Sequence, residues 1–302
     1  MISFTKLFFH NAEIPFVGVG LTSQEITEKV HLQISNDPGK YEISSQQWIV
    51  CQDPFIIAIW HSGESNFQNI DSGYLTVLHK NKIVGKIGLK SVQDIPFETG
   101  HLMLMESVFA VSYHLNFLTR NLMLYYLRCR WNKEQAKNIN NFCAAYSYPR
   151  KVVLISFLSG GHFNIFPMDF HGYIPQCHGY LLGLRKTNYT IEKILEQRRI
   201  LVCEVPASKK DIIYQLGKHH GKNPPSADSL PFAFNSSKEF RFPYPEFTLA
   251  YFEVQLTHTK PLGTHILLMG KVINYMKNHQ PEGQLYHIHT IHHLHAKNKT
   301  VS

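Results

Sequence analysis

The sequence predicts a β-rich α+β protein built from two parts. Aromatic residues make up 13% of the 302-residue chain, with 20 phenylalanines and 15 tyrosines. The β-branched residues fall in short runs, and this composition favours strands over long helices. At about 150 residues per domain the length predicts two domains, each large enough to bury a core. We expect a mixed α/β N-terminal region over residues 1–146 and a β-rich domain over residues 147–302.

The N-terminal region carries signals for strands and for a helix. Residues 46–60 indicate two strands separated by Asp53-Pro54. Residues 72–89 alternate apolar and polar positions around the turn Lys80-Asn81-Lys82, which predicts a β-hairpin. Residues 104–145 contain no proline or glycine and have apolar side chains three or four positions apart, which predicts a substantial helix. The apolar positions of that helix are Leu115, Leu118, Leu122, Tyr125 and Tyr126. No fixed-period internal repeat is evident.

The second part has a regular succession of strands with two inserted helices. Strands at 151–158 and 162–166 form a hairpin through Ser159-Gly160-Gly161. A loop is expected at 167–175, and further strands at 178–185, 199–206, 247–260 and 265–277. Thr190 is the expected N-cap of a helix over 191–198, and Ser208 opens a second helix that ends near Gly221. This order predicts a closed or half-closed barrel rather than a doubly wound sheet.

Charge and cysteine usage exclude some classes of function. The formal net charge is +8, but the basic residues are scattered, whereas a nucleic-acid-binding face gathers them into a stripe with aromatic residues between. We therefore expect no nucleic-acid partner, and a small anionic ligand such as a phosphate instead. The five cysteines form no CxxC pair, which favours free thiols in a reducing compartment over a zinc site.

The sequence contains no predicted targeting or membrane segment. The apolar run near the N-terminus is short and is broken by His10 and Asn11, unlike the core of a signal peptide. The longest apolar stretch elsewhere, residues 102–111, contains Glu106 and is far too short to span a membrane. We expect a cytoplasmic protein without a membrane partner.

A basic, hydroxyl-rich corner follows the predicted strand at 178–185. Arg185 and Lys186 supply positive charge, and Thr187 and Thr190 supply hydroxyl groups. The start of the following helix offers free N–H groups and the positive end of its dipole. A phosphate group, with about two negative charges, needs such a donor set. Taken alone, Arg185-Lys186 is equally explained as the solvated end of a strand.

The order of these parts resembles the flavin reductase domain family, whose members are FMN-binding split β-barrels. The similar features are the hairpin, the N-x-x-P segment from Asn164 to Pro167, the K-T-x-x-x-I segment from Lys186, and Gly263-Thr264-His265 with Gly270 and Val272 downstream. The resemblance covers roughly residues 147–290. The chain departs from the family pattern at Thr264, where the family has aspartate, and at residues 168–171, where Ser or Thr is common.

The resemblance implies FMN as cofactor and NAD(P)H as co-substrate, with hydride passing from NAD(P)H to the flavin and electrons then to a second acceptor. It places the flavin phosphate against Arg185, Lys186, Thr187 and Thr190. The ring is expected along a loop and strand end lined by Asn164, Pro167, Met168, Asp169, Phe170, His171 and Gly172. His265 is the implied catalytic residue on the nicotinamide side. The resemblance also implies a homodimer with flavins near the subunit interface.

Two alternatives stay open at this point. The barrel is equally suited to a non-catalytic protein that binds a flavin or another small molecule, with a pocket reshaped by Met168, Asp169 and residues 231–247. The N-terminal region is then a candidate partner-binding or lid module. Asp169 is expected to tilt away from the ring or to pair with His171.

The C-terminal tail, residues 285–297, is rich in histidine. As a strand over 286–295 it would place four imidazoles on one face, those of His287, His289, His293 and His295. Imidazoles at this density bind transition metals in some proteins. We favour an exposed strand that carries polar side chains, and we expect no metal site.

Overall fold

The computed structural model describes residues 16–35, 39–63, 67, 70–114, 117–130, 137–219, 224–278, 282–290 and 292–293. Two seven-stranded antiparallel sheets account for most of the described structure, one in each half of the chain. Smaller two-stranded and three-stranded sheets complete it. The expected β-rich α+β fold is confirmed.

The N-terminal sheet has the strand order β3-β2-β6-β7-β8-β5-β4. Its strands are β2 (Lys29–Ile34), β3 (Lys40–Glu42), β4 (Gln47–Cys51), β5 (Ile56–His61), β6 (Ser72–His79), β7 (Lys82–Phe97) and β8 (Gly100–Ser112). The two strands expected around Asp53-Pro54 are confirmed as β4 and β5. The hairpin is confirmed as β6–β7, where Lys80 and Asn81 both adopt positive φ, as a two-residue type I′ turn requires.

The helix expected over 104–145 is wrong in its first part. Residues 104–112 belong to β8, which pairs with β5 on one side and β7 on the other. Leu102, Met103, Leu104 and Met105 are all buried, so β8 is apolar on both faces, and such a run cannot be told from a buried helix by periodicity alone.

Helical structure is confirmed further along, in α1 (Phe117–Arg130) and α2 (Ile139–Ala145). The apolar positions whose spacing predicted this helix include several that lie on the surface of α1. Leu118, Leu122 and Tyr125 are exposed, with Leu118 73% accessible. Leu115 and the side chain of Tyr126 lie outside the described residues.

The C-terminal sheet has the strand order β11-β10-β14-β17-β18-β13-β12 and forms a split β-barrel. Its strands are β10 (Val153–Ser159), β11 (His162–Met168), β12 (His171–Ile174), β13 (Gly179–Arg185), β14 (Arg199–Glu204), β17 (Ala250–Leu262) and β18 (His265–Lys277). The hairpin through Gly160 and Gly161 is confirmed, and both glycines adopt positive φ.

The loop expected over 167–175 is largely strand. Pro167 and Met168 continue β11, and β12 pairs with β13 with His171 opposite Leu182. Only Asp169 and Phe170 connect the two strands. Pro167 is accommodated because β11 is an edge strand, where a missing N–H breaks no ladder.

The helices inserted in the barrel are α3 (Ile191–Gln197) and α4 (Lys210–Leu216). Thr190 occupies the expected N-cap position, whereas Lys209, not Ser208, is the N-cap of α4. The Thr190 hydroxyl makes no cap hydrogen bond and accepts one from Asn164 instead, while Ser208 donates to Glu282. Gly221 lies outside the described residues. Residues 231–247 contain a small hairpin of β15 (Phe234–Ser236) and β16 (Pro243–Pro245).

A three-stranded sheet joins the two ends of the described chain. It consists of β1 (Phe16–Leu21), β19 (Gln284–His289) and β9 (Arg150–Lys151), with β19 in the centre. The histidine-rich tail is therefore a strand as far as His289. His293 lies beyond it in a short helical turn, so the expected alignment of four imidazoles on one strand is wrong there, and His295 lies outside the described residues.

Both large sheets have the same topology. When strands are numbered by their order within each half, each sheet has the order 2-1-5-6-7-4-3, and every pairing is antiparallel. The sheets also share a hydrophobic cluster, which combines Val50 and Trp60 of the first with Leu181 and Leu267 of the second. In the part of the chain that is described, no helix is long and apolar enough to cross a membrane.

Candidate functional site

The basic corner is a fixed turn at the end of β13. The Asn188 N–H donates to the Arg185 carbonyl at 3.0 Å, and the Lys186 N–H donates to the Thr264 carbonyl at 3.1 Å. The Asn188 side chain accepts a hydrogen bond from the Thr190 N–H at 2.9 Å. Arg185, Lys186 and Thr187 are exposed, so the corner presents two cations and a hydroxyl to an incoming anion.

Asn164 joins this corner to β11. Its amide Nδ2 donates to the Thr190 hydroxyl at 2.6 Å, and both side chains are buried. His162 Nε2 lies 3.3 Å from the same hydroxyl. Burial, and then the charge of Lys193, lowers the pKa of His162, so that lysine adds to the positive potential of the corner. The structure thus brings together two predicted site residues that are 26 positions apart.

The N-terminal half reaches the same corner through the connection between β4 and β5. The Arg185 guanidinium donates to Gln52 Oε1 at 2.6 Å. The Gln52 carbonyl accepts in turn from Asn138 Nδ2 at 2.9 Å. Arg185 is therefore held in one orientation by a side chain from the first sheet.

His265 lies beneath this connection and is only 2% exposed. The Gln52 N–H donates to His265 Nδ1 at 3.4 Å, which places the proton of the neutral imidazole on Nε2. The ring stacks on Phe170 with 5.4 Å between centroids. His265 is thus buried against Gln52 and Phe170, and its expected role in hydride transfer stays a prediction.

The Asp169 carboxylate is held by two side chains from outside β11 and β12. Its carboxylate accepts from the Tyr146 hydroxyl at 2.7 Å and lies 2.8 Å from His287 Nδ1. Burial raises the pKa of Asp169, but the hydrogen bond and the charge of His287, with the Tyr146 hydroxyl, outweigh burial and lower it. The alternative pairing with His171 is wrong because His287 on β19 is the nearer partner.

His171 is a neutral, fully paired side chain. Its Nε2–H donates to the Lys151 carbonyl at 3.0 Å, and its Nδ1 accepts from the Tyr180 hydroxyl at 2.8 Å. Burial lowers the pKa of His171 to about 4. It therefore fixes the start of β12 and carries no charge near neutral pH.

A cavity of about 250 Å³ lies between the two halves of the chain. Asp169, His171 and Gly172 line one side of it, and Gln47 and Trp48 line the other. A Cβ atom at position 172 would overlap the Trp48 indole, so the close approach of the two halves requires glycine there. The corner residues from Arg185 to Thr190 do not line this cavity, so the predicted site residues fall into two groups.

Two side chains of the cavity were missed by sequence reasoning. Gln47 is 1% exposed, and neither its amide nitrogen nor its amide oxygen has a hydrogen-bond partner among the described residues. Arg150 is 5% exposed, and among the described residues it donates only to the carbonyls of Ala145, at 3.2 and 3.1 Å, and Gln47, at 3.2 Å. The sequence signal was weak: Gln47 begins the apolar strand β4, and Arg150 stands in the polar pair that precedes β10.

Arg150 is a buried cation without a direct ion pair. Among the described residues no carboxylate lies within ion-pair distance of its guanidinium, although it lies over the Tyr148 ring at 5.4 Å. Burial lowers the pKa of Arg150 to about 10, so it remains protonated at neutral pH. A buried positive charge of this kind favours an anionic neighbour.

The residues present fit a flavin nucleotide in their chemistry. The corner offers cations and hydroxyls for a phosphate, and the cavity offers an unsatisfied amide and a buried cation for a polar ring edge. The two places are linked by β13: Arg185 stands three residues from Leu182, which pairs with His171. That separation is about 10 Å along the strand, which the sugar chain and ring of FMN together can span. Within the described residues, no group of three or more His, Cys, Asp and Glu side chains is placed to hold a metal ion.

Comparison with known proteins places the similarity in the C-terminal half. Residues 145–295 match the family model described as "Flavin reductase like domain". No curated protein matches the chain in sequence. Solved structures similar to the chain include three from microorganisms.

The first is an FMN-binding protein from Thermus thermophilus with bound p-hydroxybenzaldehyde, at 19% identity over 46% of this chain and 81% of that chain, with a TM-score of 0.41. An NADH:FAD oxidoreductase from Streptomyces globisporus is 14% identical over 49% of this chain and 88% of that chain, with a TM-score of 0.44. Flavoredoxin from Methanosarcina acetivorans is 18% identical over 44% and 70% of the two chains, with a TM-score of 0.39.

Proposed function

Because the chain belongs to the flavin reductase like domain family, whose model matches residues 145–295, we propose that it is an FMN-binding oxidoreductase. In this proposal it accepts a hydride from NAD(P)H and passes electrons to a second acceptor. When bound, FMN supplies the hydride chemistry, and the protein supplies binding, orientation and exclusion of water.

The observation that carries the proposal is the basic corner braced by the Asn164–Thr190 hydrogen bond at 2.6 Å. Arg185, Lys186 and Thr187 would bind the phosphate from the solvent side. Thr190 would act from beneath the turn, because its buried hydroxyl accepts from Asn164 and holds the exposed corner residues in place.

The segment that runs from β11 through Asp169 and Phe170 into β12 is the proposed wall for the ring. Asn164 and residues 167–172 follow each other along this segment. The Asp169 carboxylate lines the cavity and is engaged by the Tyr146 hydroxyl and His287. His265 is proposed as a positioning residue that holds Phe170 through ring stacking.

Titration of the purified protein with FMN, followed by flavin fluorescence, tests binding. Lys186→Gln removes one cation of the corner and is expected to weaken FMN about tenfold, because a hydrogen bond to a charged group contributes about 1.5–3 kcal/mol and exposure reduces that value. Lys90→Gln, which removes an exposed lysine of the N-terminal sheet, is the matched control and should bind FMN as the wild type does. Equal affinities for the two variants would refute the corner as the phosphate site.

A non-catalytic flavin-binding protein is the second candidate. The burial of His265 beneath residues 51–53 favours it, because that connection covers the side on which nicotinamide was expected. Stable FMN binding without oxidation of NADH or NADPH would support this candidate against the first.

A further inference from the structure

The two halves of the chain correspond strand by strand. Because both sheets have the same order, β4 in the first corresponds to β12 in the second, and β5 corresponds to β13. The equivalent strands β4 and β12 also lie against each other in the structure, and β4 contacts β13 and β18 as well. The halves are therefore joined at one pair of equivalent strands, β4 and β12, with β4 also lying against β13 and β18.

The fit between the halves is close at the backbone level. A Cβ atom at Gly172 would overlap the Trp48 ring, and one at Gly183 would overlap the Val50 backbone. Both glycines thus permit β4 to lie directly on the second sheet. The N-terminal half is in this respect an integral part of the barrel surface rather than a detachable lid.

The cavity lies where the equivalent connections face each other. Ser44 and Ser45 follow β3 in the first half, and Asp169 follows β11 in the second; all three line the cavity. We infer that this cavity is a single ligand site built by both halves, and that it receives the polar edge of a planar, electron-accepting ring. The inference rests on the proposed function, which supplies the flavin as that ring.

Gln47 provides the hydrogen-bonding edge of this site. A carboxamide presents one acceptor and two N–H donors side by side, which complements a ring edge with an N–H group beside a carbonyl. Burying such an amide without partners is costly, and native proteins rarely do so. Both amide atoms are covered by neighbouring atoms in the ligand-free structure. The Gln47 side chain would therefore turn into the cavity that it lines in order to pair with a ligand, and that pairing would recover the cost.

Arg150 provides the charge. The guanidinium has five N–H donors, and those described bond only to the neutral carbonyl oxygens of Ala145 and Gln47. The other charged groups that line the cavity are already engaged, since Lys151 pairs with Glu204 at 2.6 Å and Asp169 with His287 at 2.8 Å. Arg150 therefore favours a ring that gains negative charge on reduction.

The sequence after β13 favours a phosphate more than the equivalent sequence after β5. Arg185 ends β13, and Lys186 and Lys193 follow it, whereas residues 62–71 contain no Lys or Arg and include Glu64 and Asp71. That composition does not attract a phosphate. The second half binds the nucleotide, and the first half contributes Gln47 and Trp48 to its ring.

The test compares FMN with riboflavin, which lacks the phosphate, on the full-length chain. Gln47→Met is expected to weaken both ligands about tenfold, because it removes contacts to the ring that the two share. Lys186→Gln is expected to weaken FMN alone. Gln47→Met should also raise the melting temperature of the ligand-free protein, since it replaces two unsatisfied buried polar atoms with an apolar side chain of similar size. A purely structural role of Gln47 would lower it.

The outcomes separate the inference from the proposed function. If the wild type binds FMN, but Gln47→Met binds FMN and riboflavin as tightly as the wild type does, the cavity site is refuted and the proposed function stands. Two flavins per chain would also refute it. If the wild type binds neither ligand, the proposed function is refuted, and the flavin site between the halves falls with it.

Discussion

The hydrogen bond between Asn164 and Thr190 is the most specific structural prediction at the phosphate corner. Thr190→Val preserves the shape of the side chain and removes the hydroxyl that accepts from Asn164 Nδ2 at 2.6 Å. Both residues are buried, so the Asn164 amide is left with an unsatisfied donor in a site that water does not reach. An unsatisfied buried donor costs about 1–3 kcal/mol, and we expect a loss of that size in the free energy of unfolding.

Urea denaturation followed by tryptophan fluorescence measures this loss. Thr187→Val removes an exposed hydroxyl from the same turn and is the matched control, with an expected change within about 0.5 kcal/mol. FMN affinity should fall in Thr190→Val by more than riboflavin affinity, because the altered turn binds the phosphate and not the ring.

A double-mutant cycle decides whether the two side chains act as a pair. Asn164→Leu alone leaves the hydroxyl without its donor, whereas Asn164→Leu with Thr190→Val leaves two apolar groups of matching shape. The double variant should therefore be less destabilised than the sum of the singles by about 0.5–3 kcal/mol. Additive effects, within about 0.5 kcal/mol, would refute the hydrogen bond as the brace of the corner.

Three further predictions concern the contact between the halves. Because burial lowers the pKa of His171 to about 4 from about 6.5 in the unfolded chain, the unfolded state binds more protons between these values. The free energy of unfolding should therefore fall by about 3 kcal/mol as pH drops from 6.5 to 4. In His171→Gln, urea denaturation should show a free energy of unfolding that changes less over this pH range, and a pH dependence equal to that of the wild type would contradict this. Gly172→Ala should destabilise by about 1–3 kcal/mol through overpacking against Trp48, and Trp48→Leu should restore part of the loss in thermal unfolding; independent effects would contradict the contact. Arg150→Met should weaken the binding of reduced flavin more than that of oxidised flavin. Each tenfold difference between the two affinities lowers the midpoint potential by about 30 mV, which spectroelectrochemistry measures. An unchanged potential would place Arg150 away from the ring.

The sequence predicted the parts of the fold that depend on local signals. The turn residues Lys80-Asn81 and Gly160-Gly161 require positive φ, and both hairpins were found for that reason. The strand β8 was taken for a helix because Leu102 to Met105 are buried on both faces and show no alternation. The repeated topology was missed because strand order is fixed by which backbones pair, and that leaves no fixed-period repeat in the side chains.

The candidate site was predictable only where its residues belong to one continuous motif. Residues 185–190 are consecutive, so the sequence itself shows their positive charges and hydroxyl groups next to one another. Gln47 and Arg150 are more than 100 positions apart, and their importance arises from burial and missing partners, which only the packed structure reveals. The resemblance implied that His265 lies beside the nicotinamide, and the sequence gives no indication that His265 is buried next to residues 51–53.

The most direct test of the central claim is an anaerobic absorbance titration of the full-length protein, first with FMN and then with NADH. We expect saturation at one FMN per chain, followed by loss of the oxidised flavin band when NADH is added. Saturation without bleaching by NADH or NADPH would leave a flavin-binding protein and contradict the oxidoreductase. Absence of any flavin binding would contradict the account as a whole.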